Sequence, residues 1–368
     1  MPTLEKQNPK PEGKVMKFIN EHLTHIPFVQ KIVFVHNLFI MTKAGLSIVD
    51  SLRILSAQSE NKKLKRVISE IKSGVEKGRQ LSEVLALFPE VFPPIYVSMI
   101  AAGEASGKME TALEQVASQM KKSHELTSRI RGALIYPAVI LIAMAGIGIE
   151  MVVFVLPKII VLFKDFNADL PLATRILIAI VTATGKYGIY MAIALVALVF
   201  GLIWLVKQPA VRRRLHAFNL FLPIMGNIIK KINIARFTMT LSSLLTSSIP
   251  ITEAVRITAS VQSNISYREA LLICGEILKK GEPLSENLER YPRLFPPMVT
   301  QMIMVGEQTG EVETMLGELA GFYSDEVDTI MKNFSTIIEP VIILFLGLAV
   351  AGIAVAVIMP MYSLAQSF

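Results

Sequence analysis

The chain has 368 residues, 52% of them hydrophobic, with a mean hydropathy of +0.52 and a net charge of +7. That length leaves room for two or three domains, and the hydropathy is high for a soluble protein. The single cysteine, Cys274, excludes an intramolecular disulfide.

Residues 1–32 form a polar arm with one short amphipathic stretch at 15–26. No apolar stretch follows a basic start, so no signal peptide is expected. From Val33 onward the apolar spacing is helical, without useful strand-like alternation, which predicts an all-α fold. A first helix ends near Ala44, where Gly45 suits the left-handed C-terminal conformation. Ser47 with Asp50 three residues on resembles a capping box. A third helix spans about 61–76 and stops at Gly78, and a short helix at 81–87 ends before Pro89. Pro93 and Pro94 open a helix to about Ala102, because proline fits a first turn but not a helix interior. Gly103 and Gly107 set a tight turn. The long helix that follows carries an apolar stripe at Leu113, Val116 and Met120.

The same order returns further on. Residues 92–113 and 295–316 align without a gap and share half their positions, including Phe-Pro-Pro and the Gly-Glu-x-x-Gly of Gly103, Glu104, Gly107 and of Gly306, Glu307, Gly310. Self-similarity over this length marks a duplicated domain. The unit runs from about residue 33 to 165 and again from 236 to 368. Ser248 replaces Gly45, which weakens the turn before the second helix of this copy, and Pro250 replaces Ser47, where proline suits the first helical turn. Cys274 falls opposite Ile71 on an apolar stripe and reads as a small core residue. His124 falls opposite Val327 and reads as a packed histidine.

Runs 187–206 and 340–359 hold no charge, and 132–156 is broken only by Glu150. At ~1.5 Å rise per residue, 20 residues span the ~30 Å hydrocarbon core. Three transmembrane helices are predicted, at 132–156, 187–206 and 337–360. They separate two six-helix cytoplasmic bundle domains, 33–131 and 236–336. Lys121, Lys122, Arg129 and Arg131 precede the first span; Lys207, Arg212, Arg213, Arg214, Lys230, Lys231 and Arg236 follow the second. By the positive-inside rule both polar segments and the N-terminus face the cytoplasm. The loop 157–186 and the tail 361–368 then lie outside. The middle span has no counterpart in the repeat; it returns the chain so that both domains share one side. In the connector 207–235, Arg212, Arg213 and Arg214 suit anionic headgroups better than nucleic acid, given their place just after a span. Residues 215–234 read equally as an interfacial helix or a plain linker.

The stretch 102–109 imitates a phosphate-binding loop, but Ala102 replaces the first glycine, Met109 stands where Ser or Thr is required, and Glu311 replaces Lys108 in the second copy. No catalytic, cofactor-binding or metal-ligating pattern is found, and the five histidines lack ligand spacing. Glu104, Glu307, Glu110 and Glu313 recur in both copies. They suit capping and interaction with a helix N-terminus, with contact to a partner as the alternative. Glu150 is an acid inside a span, either reaching the outer interface near Pro157 or marking a proton path; its counterpart is Ile353.

Taken together, the paired Gly-Glu-x-x-Gly turns, the preceding Phe-Pro-Pro, Tyr136-Pro137, Phe322-Tyr323 with Glu326-Val327, Glu339-Pro340 through Pro360, and Asp169-Leu170-Pro171 with Thr174 resemble the type II secretion F-domain family. These are PilC/GspF-type inner-membrane platform proteins of type IV pilus and type II secretion machines. The resemblance covers about residues 33–364; the N-terminal arm is shorter than in many members. It implies a non-catalytic protein of the bacterial inner membrane, likened to dimers or higher homo-oligomers. Its implied partners are a hexameric assembly ATPase, pilin or pseudopilin subunits and other inner-membrane assembly proteins. A small transporter is the alternative reading, since parallel repeats occur there. Three spans lacking paired polar residues speak against it.

Overall fold

A computed structural model describes residues 26–157, 172–222 and 225–366, and among these there is helix and no strand. The first repeat supplies α1 (Phe28–Lys43), α2 (Ile48–Gln58), α3 (Lys62–Glu76), α4 (Leu81–Leu85), α5 (Pro94–Ala105) and α6 (Met109–Glu150). A π-helical turn, Met151–Val155, continues α6. After α7 (Leu172–Lys207) and α8 (Pro209–Asn219), the second repeat supplies α9 (Met225–Thr246), α10 (Ile251–Val261), α11 (Ile265–Leu278), α12 (Leu284–Glu289), α13 (Pro297–Thr309) and α14 (Val312–Gln366).

Two compact units result. The first joins the described residues up to Leu126 with Ile232–Tyr323; the second takes Thr127–Lys231 and the chain from Ser324 onward. The first unit therefore holds the polar parts of both repeats together, where the sequence suggested two separate domains. The reason is a direct seam between α9 and α6. Ser243 Oγ donates to Gln119 Oε1 at 2.7 Å, Ser247 Oγ to Gln115 Oε1 at 2.6 Å, and Gln115 Nε2 to the Thr246 carbonyl at 3.3 Å. α5 also contacts α10 across the repeats.

Inside this unit the two repeats build matching cores. Phe34 meets Phe92 at 5.8 Å between ring centres, and their counterparts Phe237 and Phe295 meet at 5.3 Å. Leu38, Leu52, Ile71 and Leu113 are fully buried, as are Leu241, Val255, Cys274 and Leu316 at the same positions. Burying each such large apolar side chain contributes roughly 1.5–3 kcal/mol. His124 stacks on Phe28, with ring centres 5.8 Å apart.

The helix starts follow the local chemistry. Ser47 Oγ accepts from the Asp50 N–H at 3.0 Å, and Asn61 Oδ1 accepts from Lys63 and Leu64 N–H, both at 3.0 Å. Pro250 is the residue before α10 and not in its first turn. Ser248 takes a left-handed φ of +59°, close to the +85° of Gly45, so the turn expected to weaken is kept despite the side chain.

Several boundaries differ from the sequence expectation. α1 begins at Phe28 and α9 at Met225, ahead of 33 and 236, because apolar residues such as Ile228 and Ile234 extend the buried stripe backward. α7 begins at Leu172, inside the expected loop 157–186, and α14 carries helix to Gln366, through most of the expected tail. Asp169-Leu170-Pro171 and most of the N-terminal arm lie outside the described residues.

In the second unit, the apolar portions of α6 and α14 are long enough to cross a membrane. α7 is apolar too, but it bends by 55° between Val181–Met191 and Val196–Lys207, and it counts as a third crossing only if both arms form one span.

Candidate functional site

The recurring motif resolves into three separate jobs. Gly103 and Gly306 lie within α5 and α13, not in the turns expected of them. There they allow the next helix to come close. A Cβ on Gly103 would fall 2.2 Å from Ala112 Cβ, and one on Gly306 would fall 2.8 Å from Val312 Cα. Gly107 and Gly310 make the turn itself, with φ of +69° and +78°. Glycine enters that left-handed region without the Cβ clash that other residues meet.

Glu104 and Glu307 reach back to an earlier helix. Glu104 accepts from the N–H of Leu81 at 2.5 Å and of Ser82 at 3.0 Å, and also from the Ser82 hydroxyl. Glu307 repeats this on Leu284 N–H at 2.6 Å, Ser285 N–H at 3.2 Å and Ser285 Oγ at 2.5 Å. The residues before α4 and α12, Gln80 and Pro283, make no side-chain cap of their own. The carboxylate thus satisfies N–H groups that a helix start leaves unpaired, and its charge meets the positive end of the helix. Glu110 and Glu313 sit exposed in the first turns of α6 and α14, where the same electrostatics favours an acid.

Arg212, Arg213 and Arg214 are exposed on α8, close to exposed Phe218 and Phe221. Arg129 and Lys231, which read from sequence only as inside charges, have partners on α14. Arg129 lies 3.9 Å from Asp328, which also pairs with Lys332 at 2.8 Å, and Lys231 pairs with Glu326. The hydrogen bond from Lys332 holds the Asp328 carboxyl below its ordinary range, against an opposing effect of burial. Glu150 is exposed at the end of α6, immediately before the π-helical turn.

One groove of the first repeat has different side chains at the equivalent positions of the second. This groove, of about 260 Å³, is lined by Val33, Phe34, Leu55, Leu64 and Ile68. At the equivalent of Leu64 stands Tyr267, fully buried and donating to the Leu294 carbonyl at 2.6 Å. At the equivalent of Val33 stands Arg236, which donates to Ser263 Oγ. Burial raises the Tyr267 phenol far above its usual range. Among the described residues no cluster of His, Cys, Asp and Glu is arranged to hold a metal ion.

These features define a duplicated all-helical protein with apolar helices of membrane-crossing length. The chain belongs to the type II secretion system (T2SS) protein F family, whose pattern matches residues 34–157 and again 237–360. It is 34% identical to the type IV pilus assembly protein PilC of Myxococcus xanthus over 91% of this chain and 80% of that one. It is likewise 34% identical to the PilC of Thermus thermophilus, over 90% and 82%. The type II secretion system protein F of Vibrio cholerae is 30% identical, over 87% of this chain and 79% of its own.

Proposed function

We propose that the chain is an inner-membrane platform protein for assembly of a type IV pilus or a type II secretion pseudopilus. In this reading it has no catalytic activity. It couples a cytoplasmic assembly ATPase to pilin-like subunits in the membrane. The observation that carries it is the double match to the protein F family at 34–157 and 237–360, each copy ending in a long apolar helix. α6, α7 and α14 are read as three spans, with the first compact unit in the cytoplasm. The second copy can share that side with the first because α7 brings the chain back. Arg212, Arg213 and Arg214, beside exposed Phe218 and Phe221, then lie against anionic headgroups.

The test is recovery of the tagged protein from its own membranes in mild detergent, with mass spectrometry of what accompanies it. A secretion-type ATPase with prepilin-like subunits supports the platform, and the identity of those subunits separates pilus from secretion. Solute-binding or transport subunits in their place would overturn it.

A further inference from the structure

Among the described residues the α9 face of the second repeat lies on the α6 face of the first. The duplication supplies the same two faces a second time, on α1 and on α14, both within the first compact unit. There the equivalent positions stand open. Gln119 is 2% exposed in the seam, and its counterpart Phe322 is 44% exposed. Ile40, the counterpart of Ser243, is 48% exposed. Ile249 is 7% exposed and its counterpart Leu46 37%. On the neighbouring helices, Ile95 is 4% exposed and its counterpart Met298 41%.

We propose that these open faces bind each other between two copies of this chain. Ile40, Lys43 and Leu46 of one copy dock on Met298, Glu318 and Phe322 of another and reproduce the internal seam. The side chains of the two faces suit each other. Where Ser243 bonds Gln119 internally, Ile40 meets Phe322, an apolar pair in place of a polar one. Where Thr246 accepts from Gln115, exposed Lys43 meets exposed Glu318, opposite charges in place of an amide contact. Apolar side chains left open and flanked by charges are the composition of an interface. Because the two faces differ, the contact is head-to-tail, which closes into a ring or extends as a chain. The proposal specifies the arrangement of the homo-oligomer and stands on the repeat, not on the platform reading.

The experiment uses full-length chain carrying two different tags, co-expressed and oxidised mildly in native membranes. Ile40→Cys is placed on one tag and Phe322→Cys on the other; Cys274 is buried and stays in place. A disulfide-linked species bearing both tags is expected, since the matching internal pair is in hydrogen-bond contact at 2.7 Å. Absence of that species, or equal linking between two Ile40→Cys copies, overturns the head-to-tail contact. Independently, Lys43→Glu should lower co-recovery of the two tags several-fold, and adding Glu318→Lys should restore it. Unchanged recovery, or no rescue, also overturns it. Continued recovery of an assembly ATPase alongside such a failure would leave the platform reading intact.

Discussion

The Glu104 carboxylate accepts a 2.5 Å hydrogen bond from the Leu81 N–H across 23 residues of chain, and it caps α4 where Gln80 supplies no side-chain cap. Replacing it with alanine leaves the N–H groups of Leu81 and Ser82 without that acceptor. The expected cost is about 1–3 kcal/mol, by analogy with a lost cap or an orphaned buried donor. Glu104→Gln keeps one acceptor oxygen and should cost less. Glu307→Ala should match Glu104→Ala. Thermal melting of the detergent-extracted chain orders the variants; a Glu104→Ala protein as stable as the parent would remove the cap from the account.

The glycines of the same motif should fail for different reasons. Gly103→Ala puts a Cβ 2.2 Å from another Cβ, so α5 and α6 must separate. Gly107→Ala meets no atom within 4 Å and suffers only the left-handed φ. The latter should cost about 1–2 kcal/mol, and the former more, with loss of the packing between α5 and α6. Limited proteolysis near residue 106 separates the cases: early cleavage is expected for Gly103→Ala and near-parental resistance for Gly107→Ala.

Ser248 supplies the converse test. It is the one non-glycine residue with positive φ among those described, and its counterpart is Gly45. Ser248→Gly relieves about 1–2 kcal/mol of left-handed strain and gives back part of that through a freer unfolded chain. A net gain of roughly 0.5–1 kcal/mol is expected, seen as a higher melting temperature. A lower one would mean that the serine side chain is itself needed there.

The duplication, the helical periodicity and the apolar stretches were all legible from residues alone, because each is a local or self-referential pattern. What stayed hidden was tertiary. Glu104 could be read as a cap, but nothing in spacing points from it to Leu81. Gly103 and Gly107 look alike in sequence, yet one serves close helix contact and the other a turn. The seam rests on Gln115, Gln119 and Ser243, polar residues with no periodic signal. Arg129 and Lys231 counted only as charges until Asp328 and Glu326 came alongside them. Such partly exposed pairs are worth on the order of 1 kcal/mol or less each, too little to impose a pattern on sequence.

Cys274 should be chemically silent in the folded chain. It is fully buried, and burial pushes its thiol up to about 11. The thiolate is the reactive form. Maleimide labelling at about pH 8.5, near the ordinary thiol pKa, should therefore be negligible for native protein and complete after denaturation. The folded state holds the proton more tightly, so stability is full below the ordinary thiol pKa and falls as pH rises from there toward about 11. Rapid labelling of the native chain would contradict its core position.

α6 runs as one helix from Met109 to Glu150, with Pro137 inside it, past the cationic Arg129 and Arg131 and into apolar sequence. A continuous helix passes displacement and rotation along its axis, whereas a glycine-rich segment behaves as a flexible coil and passes neither. If an ATPase acts on the first compact unit and α6 carries the motion onward, a short glycine linker inserted beside Arg131 should abolish filament assembly. The protein should still reach the membrane, and the core around Leu113 and Met120 should stay protected from protease. An alanine insertion of equal length keeps the helix but turns one part against the other, so it separates loss of stiffness from loss of register. Normal filament assembly by the glycine variant would show that α6 is a tether and that force reaches the membrane by another route.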